Sequence, residues 1–119
     1  MELLLPEHRE RMLRNGRFNA FRRERGECEI DFKPVVKLFV PWGGGTWLLT
    51  ELDPDNPDLA FGLCDLGLGF PELGSVSLRE LDELTGPGGL TVERDLHFIP
   101  VKSLGAYAEE ARLHERILA

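Results

Sequence analysis

The sequence predicts an α+β fold: a largely antiparallel sheet of four or five strands packed with an N-terminal, a middle and a C-terminal helix. Two observations predict this class. Apolar residues follow a helical spacing before Pro34 and alternate with polar residues after it, as they do in β-strands. The predicted strands are also joined by short turns, which connect antiparallel neighbours. All 119 residues are expected to form a single domain, since most domains contain about 100–150 residues.

Residues 1–33 are predicted to form a helical segment in two pieces. The first helix is expected over residues 6–15 and should end at Asn15 and Gly16, because both residues tolerate the positive φ angle that closes many helices. A shorter helical piece is expected to follow over residues 17–25 and to end at a glycine.

Residues 34–119 are predicted to hold the sheet and two further helices. The three glycines at 43–45 are typical of a hairpin turn. Ser77 and Ser103 each precede a helical apolar pattern, and both are expected to be N-caps. The predicted strands are residues 35–40, 46–52, 59–66 and 93–99, with a short edge strand at 74–76, and the predicted helices are residues 78–84 and 103–117.

The predicted core takes one apolar face from each strand and helix. Phe18 and Phe21, three residues apart in the helical segment, are expected to pack on it. Trp47 lies within a strand and should point into it, as aromatic residues in strands commonly do. The residues expected to be mostly buried are Val36, Leu38, Leu48, Phe61, Leu63, Leu81, Phe98 and Tyr107.

The formal net charge of −7 is unevenly distributed along the chain. Residues 1–33 carry eight basic and seven acidic groups, whereas residues 34–119 carry six basic and fourteen acidic groups. This acidic body would be repelled by the phosphates of duplex nucleic acid, so direct nucleic-acid binding is not expected from it. It suits another protein with a basic surface instead.

The basic groups of the N-terminal segment could still contact phosphate. Glu7, Glu10 and Glu24 lie among them at spacings that allow ion pairs on a helix, which favours a solvated helix face over a nucleic-acid site. The arginines concerned are Arg11, Arg14, Arg17, Arg22, Arg23 and Arg25.

The sequence contains no run of about 20 apolar residues, the length that a membrane-spanning helix needs. The first residues also lack the basic region and apolar stretch of a signal peptide. We therefore expect a cytoplasmic protein that does not contact a membrane.

Four carboxylates and a histidine at predicted strand ends form a candidate site for a divalent cation such as Mg²⁺ or Mn²⁺. Carboxylate oxygens are the ligands that such hard cations prefer, and a bound cation could support hydrolysis. The alternative is structural, since Asp residues beside turns commonly accept hydrogen bonds from nearby backbone amides. The candidate metal ligands are Glu51, Asp53, Asp65, Asp95 and His97; no other cofactor is expected.

No nucleophilic or phosphate-binding motif is recognisable. Cys28 and Cys64 lie in no Cys-x-x-Cys pair, so free thiols are expected rather than a zinc site. The apolar surroundings of Cys64 should raise its pKa and leave it inert. The glycine-rich stretch 67–74 matches neither a Walker A loop nor a dinucleotide-binding fingerprint. Whether the protein is an enzyme is left open.

Exposed acidic and aromatic residues are the candidates for contact with a protein partner. Trp42 stands beside the glycine-rich hairpin tip, where it either contacts a partner or covers the hairpin end. The acidic candidates lie in the turn after residue 52 and on the exposed side of the middle helix: Asp55, Asp58, Glu80, Asp82 and Glu83.

Four segments give the chain a resemblance to a known family: PVVKLF (34–39), TWLLTELDP (46–54), FGLCDLGLGFPELG (61–74) and ERDLHF (93–98). They resemble an uncharacterised bacterial family of short single-domain proteins, a domain of unknown function. Its members are often encoded on plasmids and mobile elements near antirestriction-type genes. The resemblance implies a cytoplasmic protein of mobile-element biology and implies no particular activity.

Three functions are therefore considered. The favoured one is a non-catalytic acidic interaction protein of plasmid or mobile-element biology with an antirestriction or anti-defence role. It would bind a host or element-encoded protein, such as a nucleic-acid-binding host protein. The first alternative is a metal-dependent hydrolase or nuclease that uses the carboxylate and histidine set. The second is a weak nucleic-acid binder that uses the N-terminal arginines.

Overall fold

The computed structural model describes residues 2–119, which form a five-stranded antiparallel sheet with three α-helices. The order of the strands across the sheet is β4-β3-β2-β1-β5. The predicted α+β class is therefore confirmed, together with the hairpin turn at the three glycines. In chain order the elements are α1 (Pro6–Glu24), β1 (Val36–Phe39), β2 (Thr46–Asp53), β3 (Asn56–Asp65), β4 (Glu72–Ser77), α2 (Leu78–Glu83), β5 (Glu93–Arg94) and α3 (Leu104–His114).

The sheet has a separate apolar core on each face. Leu48 and Leu49 are neighbours on β2 and point to opposite faces, as alternate residues of a strand do. Leu49 packs in a core that includes Met12 of α1 and Leu81 of α2. Leu48 packs in a second core with Leu63 of β3 and residues of α3. We call these the α1 face and the α3 face of the sheet.

The N-terminal helix is continuous, so the predicted end at Asn15 and Gly16 is wrong. Both residues lie on the side of α1 that packs against β2. A Cβ atom at Gly16 would be 1.8 Å from the carbonyl oxygen of Leu52, and Asn15 Nδ2 donates to the carbonyl oxygen of Thr50 at 2.9 Å. The absence of a side chain at Gly16 therefore allows α1 to lie close to β2.

Most of the predicted core is buried, with exceptions among the phenylalanines. Phe61 is 37% exposed because it lies opposite Ser75 on the outer strand β4, beyond the part of the α3 face that α3 covers. Phe98 is partly buried against α3. Phe18 and Phe21 are 49% and 56% exposed on α1, so the prediction that they pack on the core is wrong.

The last strand is much shorter than the predicted 93–99. It pairs with β1 only through Glu93 and Arg94, and the Asp95 amide donates to the carbonyl oxygen of Lys37. Asp95 Oδ1 then accepts from the His97 amide at 2.9 Å, which turns the chain and ends the strand.

Helix α3 ends earlier than predicted, at His114, because Glu115 adopts a left-handed conformation with φ of 58°. The predicted N-caps are confirmed: Ser77 accepts from the Glu80 amide and Ser103 accepts from the Ala106 amide.

Candidate functional site

The five predicted metal ligands do not assemble into one site. Within residues 2–119 no group of three or more His, Cys, Asp or Glu side chains is arranged so that it could hold a metal ion. The aspartates among them instead accept hydrogen bonds from amides close to them in the chain. Asp53 accepts from the Asp55 amide at 2.9 Å, and Asp65 accepts from the Gly67 amide at 2.8 Å.

Asp65 and Asp95 each make a second contact, with a residue far away in the sequence. Asp65 is buried, and its other oxygen accepts from the Ile117 amide at 3.0 Å, so it anchors the C-terminal segment. Asp95 Oδ2 lies 3.3 Å from Lys37 Nζ. The pKa of Asp95 is lowered by the hydrogen bond from the His97 amide and by Lys37, and His97 itself is exposed.

Glu51 occupies a different place, at the junction of β2 and α1. Its Oε2 accepts from Asn19 Nδ2 at 2.9 Å. Asn19 is fully buried; it also donates to the carbonyl oxygen of Ile30 at 3.1 Å and accepts from the Ile30 amide at 2.7 Å. Burial raises the pKa of Glu51. Asn19 was absent from the sequence prediction, although its spacing from Met12 and Gly16 places all three on one side of a helix.

A cleft of about 230 Å³ lies next to Glu51. Arg23 and Glu29 form an ion pair of 2.8 Å at its wall, and this pair raises the pKa of Arg23. Phe61 and Ser75 contribute the part of the lining that comes from β3 and β4. The polar groups of this cleft are largely used in joining α1 and the segment after it to the sheet.

The predicted acidic partner-binding residues meet at one end of the sheet. Asp58 near the start of β3 accepts from the Ser77 hydroxyl and from the Arg79 amide, which fixes the start of α2 beside the turn between β2 and β3. The Ser77 hydroxyl and then the Arg79 amide lower the pKa of Asp58, so it remains ionised. The exposed members of this group are Asp55, Glu80, Asp82 and Glu83, which we call the acidic surface.

A cleft of about 610 Å³ adjoins the acidic surface. It is bounded by Leu3 and Leu4 of the N-terminal segment, by Arg9 of α1, and by Arg79 and Asp82 of α2. Arg79 lies only loosely against Glu83, at 3.8 Å, with both side chains exposed. The acidic surface is therefore open to solvent and lies beside a broad depression.

Trp42 is half-buried beside the hairpin tip. A Cβ atom at Gly86 would come within 2.2 Å of its indole ring, so the ring packs on the backbone of the segment after α2. Trp47 is buried in the α1-face core, as predicted. The packing of Trp42 explains its position, and its contact with a partner stays a prediction.

A second surface, made of arginines and phenylalanines, lies on the last turns of α1 and on the residue that follows it. The guanidinium carbon of Arg22 lies 5.9 Å from the centre of the Phe18 ring, and that of Arg25 lies 5.3 Å from the centre of the Phe21 ring. These distances allow cation–π contact. The four residues form what we call the arginine–phenylalanine surface, and the sequence prediction missed its aromatic part.

Cys28 and Cys64 are both free thiols, as predicted. Cys64 is partly buried, and burial raises the pKa of its thiol as expected. None of the helices described in residues 2–119 is long and apolar enough to cross a membrane.

The comparison with protein families identifies the chain. The model of the family described as "Protein of unknown function (DUF2958)" matches residues 3–118. The chain belongs to this family. No curated protein and no solved structure matches it.

The DUF2958 match begins in the N-terminal segment and ends just beyond α3. It therefore includes the whole sheet, the acidic surface and the arginine–phenylalanine surface within one family region. The description of the family assigns no activity, so the function has to be argued from these surfaces.

Proposed function

We propose that this protein acts by binding another protein through its acidic surface, with no turnover of its own. The observation that supports this most directly is the exposure of Glu80, Asp82 and Glu83 on one short helix, next to Asp55 in the adjoining turn. Arg79 is the one basic residue of that helix. The surface therefore presents concentrated negative charge to an approaching partner.

The acidic surface is held in place by the fold. Asp58 links β3 to the start of α2 through the Ser77 hydroxyl and the Arg79 amide. Leu78 and Leu81 anchor the other side of α2 in the α1-face core. A surface fixed in this way loses little conformational freedom when a partner binds, which favours affinity.

The charge distribution supports a basic partner. Residues 34–119 carry six basic and fourteen acidic groups, so the field of the body attracts positive surfaces and repels nucleic acid. A protein with a basic nucleic-acid-binding groove has the complementary charge. Such a partner would be excluded from its nucleic acid while this protein occupied the groove.

The cellular setting belongs to the same proposal. The resemblance of the sequence implied a cytoplasmic protein of mobile-element biology, and we extend this to an antirestriction or anti-defence role. A basic groove is a feature that nucleic-acid-binding defence proteins need, because affinity for nucleic acid rests largely on contacts with phosphate. The acidic surface is suited to compete for that groove.

Reversing the charge of the acidic surface tests the proposal. The variant Glu80→Lys/Asp82→Lys/Glu83→Lys changes the net charge by six units without touching Asp58 or the core. A matched control, Glu24→Lys/Glu109→Lys/Glu115→Lys, makes the same change at exposed sites elsewhere. The tagged proteins are used to capture partners from the native host, and the captured protein is then purified and titrated with each variant.

We expect the wild type and the control to capture the same basic protein, and the α2 variant to bind it at least tenfold more weakly. Affinity should also fall as salt rises, because screening weakens contacts between exposed charges. Equal binding by all three proteins would contradict the proposal. A reproducible turnover abolished by Asp95→Asn or His97→Ala would place the protein among enzymes instead.

The arginine–phenylalanine surface favours a second candidate function, the binding of single-stranded nucleic acid. Exposed aromatic rings stack on unpaired bases, and neighbouring arginines contact the backbone. Titration of a labelled thymidine oligonucleotide tests it. Phe18→Ala/Phe21→Ala should weaken binding at least tenfold and Leu113→Ala, an exposed control on α3, should not. Undetectable binding by the wild type at low salt would exclude this function.

A further inference from the structure

The outer edge of β4 is open. β4 is the last strand on its side of the sheet, and no strand in residues 2–119 pairs with its outer edge. A strand at the edge of a sheet presents backbone N–H and C=O groups that can pair with a further strand. The opposite edge is different, since β5 contributes only Glu93 and Arg94.

β4 lacks the features that usually protect an edge strand. It pairs with β3 in regular register over six residues, Glu72–Ser77, without a bulge. It contains neither lysine nor proline, and Glu72 is its one charged residue. Leu73 is exposed on the α3 face beside Phe61. Edges of this kind are the ones that accept another strand.

We propose that two copies of this chain associate by antiparallel pairing of their β4 strands, which joins the two sheets into one ten-stranded sheet. A two-fold axis perpendicular to the sheet relates the copies, and it keeps each face of the sheet continuous. Residues that lie opposite one another must then point to the same face. Pairing centred on Ser75 satisfies this condition, with Leu73 opposite Ser77 of the second copy and Gly74 opposite Val76.

Charge complementarity selects the second copy as the occupant and Ser75 as the centre. In this register Glu72 lies opposite Leu78 of the second copy, directly beside Arg79. The two-fold axis repeats the arrangement at the other end, so each Glu72 lies beside Arg79, the one basic residue of α2 in the other copy. Arg79 pairs with Glu83 at 3.8 Å, but both side chains are exposed, so this pair contributes little and leaves Arg79 able to reach Glu72. If the pairing of the two β4 strands were centred on Gly74, Glu72 would instead lie opposite Val76 of the second copy.

The apolar side chains also favour this arrangement. Leu73 lies opposite Leu63, and Ser75 lies opposite Phe61, within the β3–β4 pair. Joining two β4 strands brings Leu73 and Phe61 of both copies onto one uninterrupted α3 face. Side chains that are half-exposed in one copy gain cover from the other, which adds to the backbone pairing.

Sedimentation equilibrium tests the proposal through a charge swap. The wild type should rise from 13.4 kDa towards twice that mass as its concentration is raised to about 1 mM, a concentration at which even a dimer with a Kd of about 1 mM is substantially populated. Glu72→Arg alone and Arg79→Glu alone should each weaken the dimer at least fivefold. The double variant should recover most of the loss, because it restores opposite charges at both ends. Glu109→Arg, an exposed reversal on α3, should dimerise like the wild type.

Cross-linking tests the register independently. Ser75→Cys, in a Cys28→Ser background, should form a disulfide between copies under mild oxidation, because opposite residues of antiparallel strands have Cα atoms about 4.5–5.5 Å apart. Leu73→Cys should not, since it lies opposite Ser77. A wild type that stays monomeric to 1 mM would overturn the proposal. A dimer whose dissociation constant is unchanged by Glu72→Arg and by Arg79→Glu would also overturn the proposal, because it would show that another surface is used. Neither experiment involves a partner protein, so its outcome is separate from that of the proposed function.

Discussion

Gly16 of α1 lies against the carbonyl oxygen of Leu52 on β2, so close that a Cβ atom would be 1.8 Å from that oxygen. The contact explains how a polar helix, whose buried residues are few, is held on the sheet. Asn15 and Asn19 complete the same junction through hydrogen bonds to β2 and to Ile30.

Substituting this glycine should destabilise the protein. In an isolated helix Gly→Ala is stabilising by about 1 kcal/mol, because alanine is the better helix former. At Gly16 the new methyl group has to push α1 away from β2, so Gly16→Ala should lower the free energy of unfolding by about 1–3 kcal/mol. Urea unfolding measures it. Gly74→Ala, where a Cβ meets open space, is the control and should stay within about 0.5 kcal/mol.

Removing the Asn19 side chain should cost more than removing that of Asn15. Asn19→Ala leaves the amide and the carbonyl oxygen of Ile30 and one oxygen of Glu51 without their partner. Asn19 makes three such hydrogen bonds, one of them to a carboxylate, whereas Asn15 makes a single bond worth about 1 kcal/mol. Urea unfolding of the two alanine variants provides the comparison. Equal losses would show that Asn19 does not organise the junction.

The two apolar residues of β3 on the α3 face should respond differently to truncation. Leu63 is buried in the core with α3, so Leu63→Ala should cost about 2–5 kcal/mol. Phe61 keeps part of its surface in water, and Phe61→Ala should cost less than half as much despite removing a larger side chain. A larger loss for Phe61→Ala in thermal or urea unfolding would contradict the packing described for this face.

Glu51 should make stability depend on pH in a defined direction. Burial raises the pKa of Glu51 in the folded protein above the ordinary value of 4.5. At a pH between the ordinary pKa and the raised one, Glu51 holds a proton in the folded chain that it has lost in the unfolded chain. The contribution of Glu51 to the free energy of unfolding therefore falls as the pH rises. The stability of the wild type relative to Glu51→Gln should therefore fall from pH 4 towards neutral pH. A difference that is constant, or that grows with pH, would refute the raised pKa.

Local patterns predicted much of the fold correctly. The alternation in β1 to β3 and the caps at Ser77 and Ser103 depend on neighbouring residues alone, so the sequence carries them directly. The end of the first helix could not be predicted in this way. Asn15 and Gly16 look like a stop signal, but here they serve contacts with β2, some 35 residues later in the chain.

The candidate sites could not be predicted from local patterns either. The sequence indicated that Asp53, Asp65 and Asp95 stand at strand ends, but their spacing could not reveal that nearby amides use their oxygens. The exposure of Phe18 and Phe21 was hidden as well, because the helical period fixes which residues share a side and not which side meets the sheet. That choice is made by Gly16 and Asn19.

Binding through the acidic surface is decided by the affinity of the captured partner for the charge-reversed α2 variant, compared with the wild type and with the matched Glu24, Glu109 and Glu115 control. Circular dichroism first establishes that all three proteins are folded. If the acidic surface binds the partner, the α2 variant alone loses at least tenfold in affinity, and the wild-type affinity declines with added salt. Equal affinities for the three proteins, unchanged by salt, would contradict it.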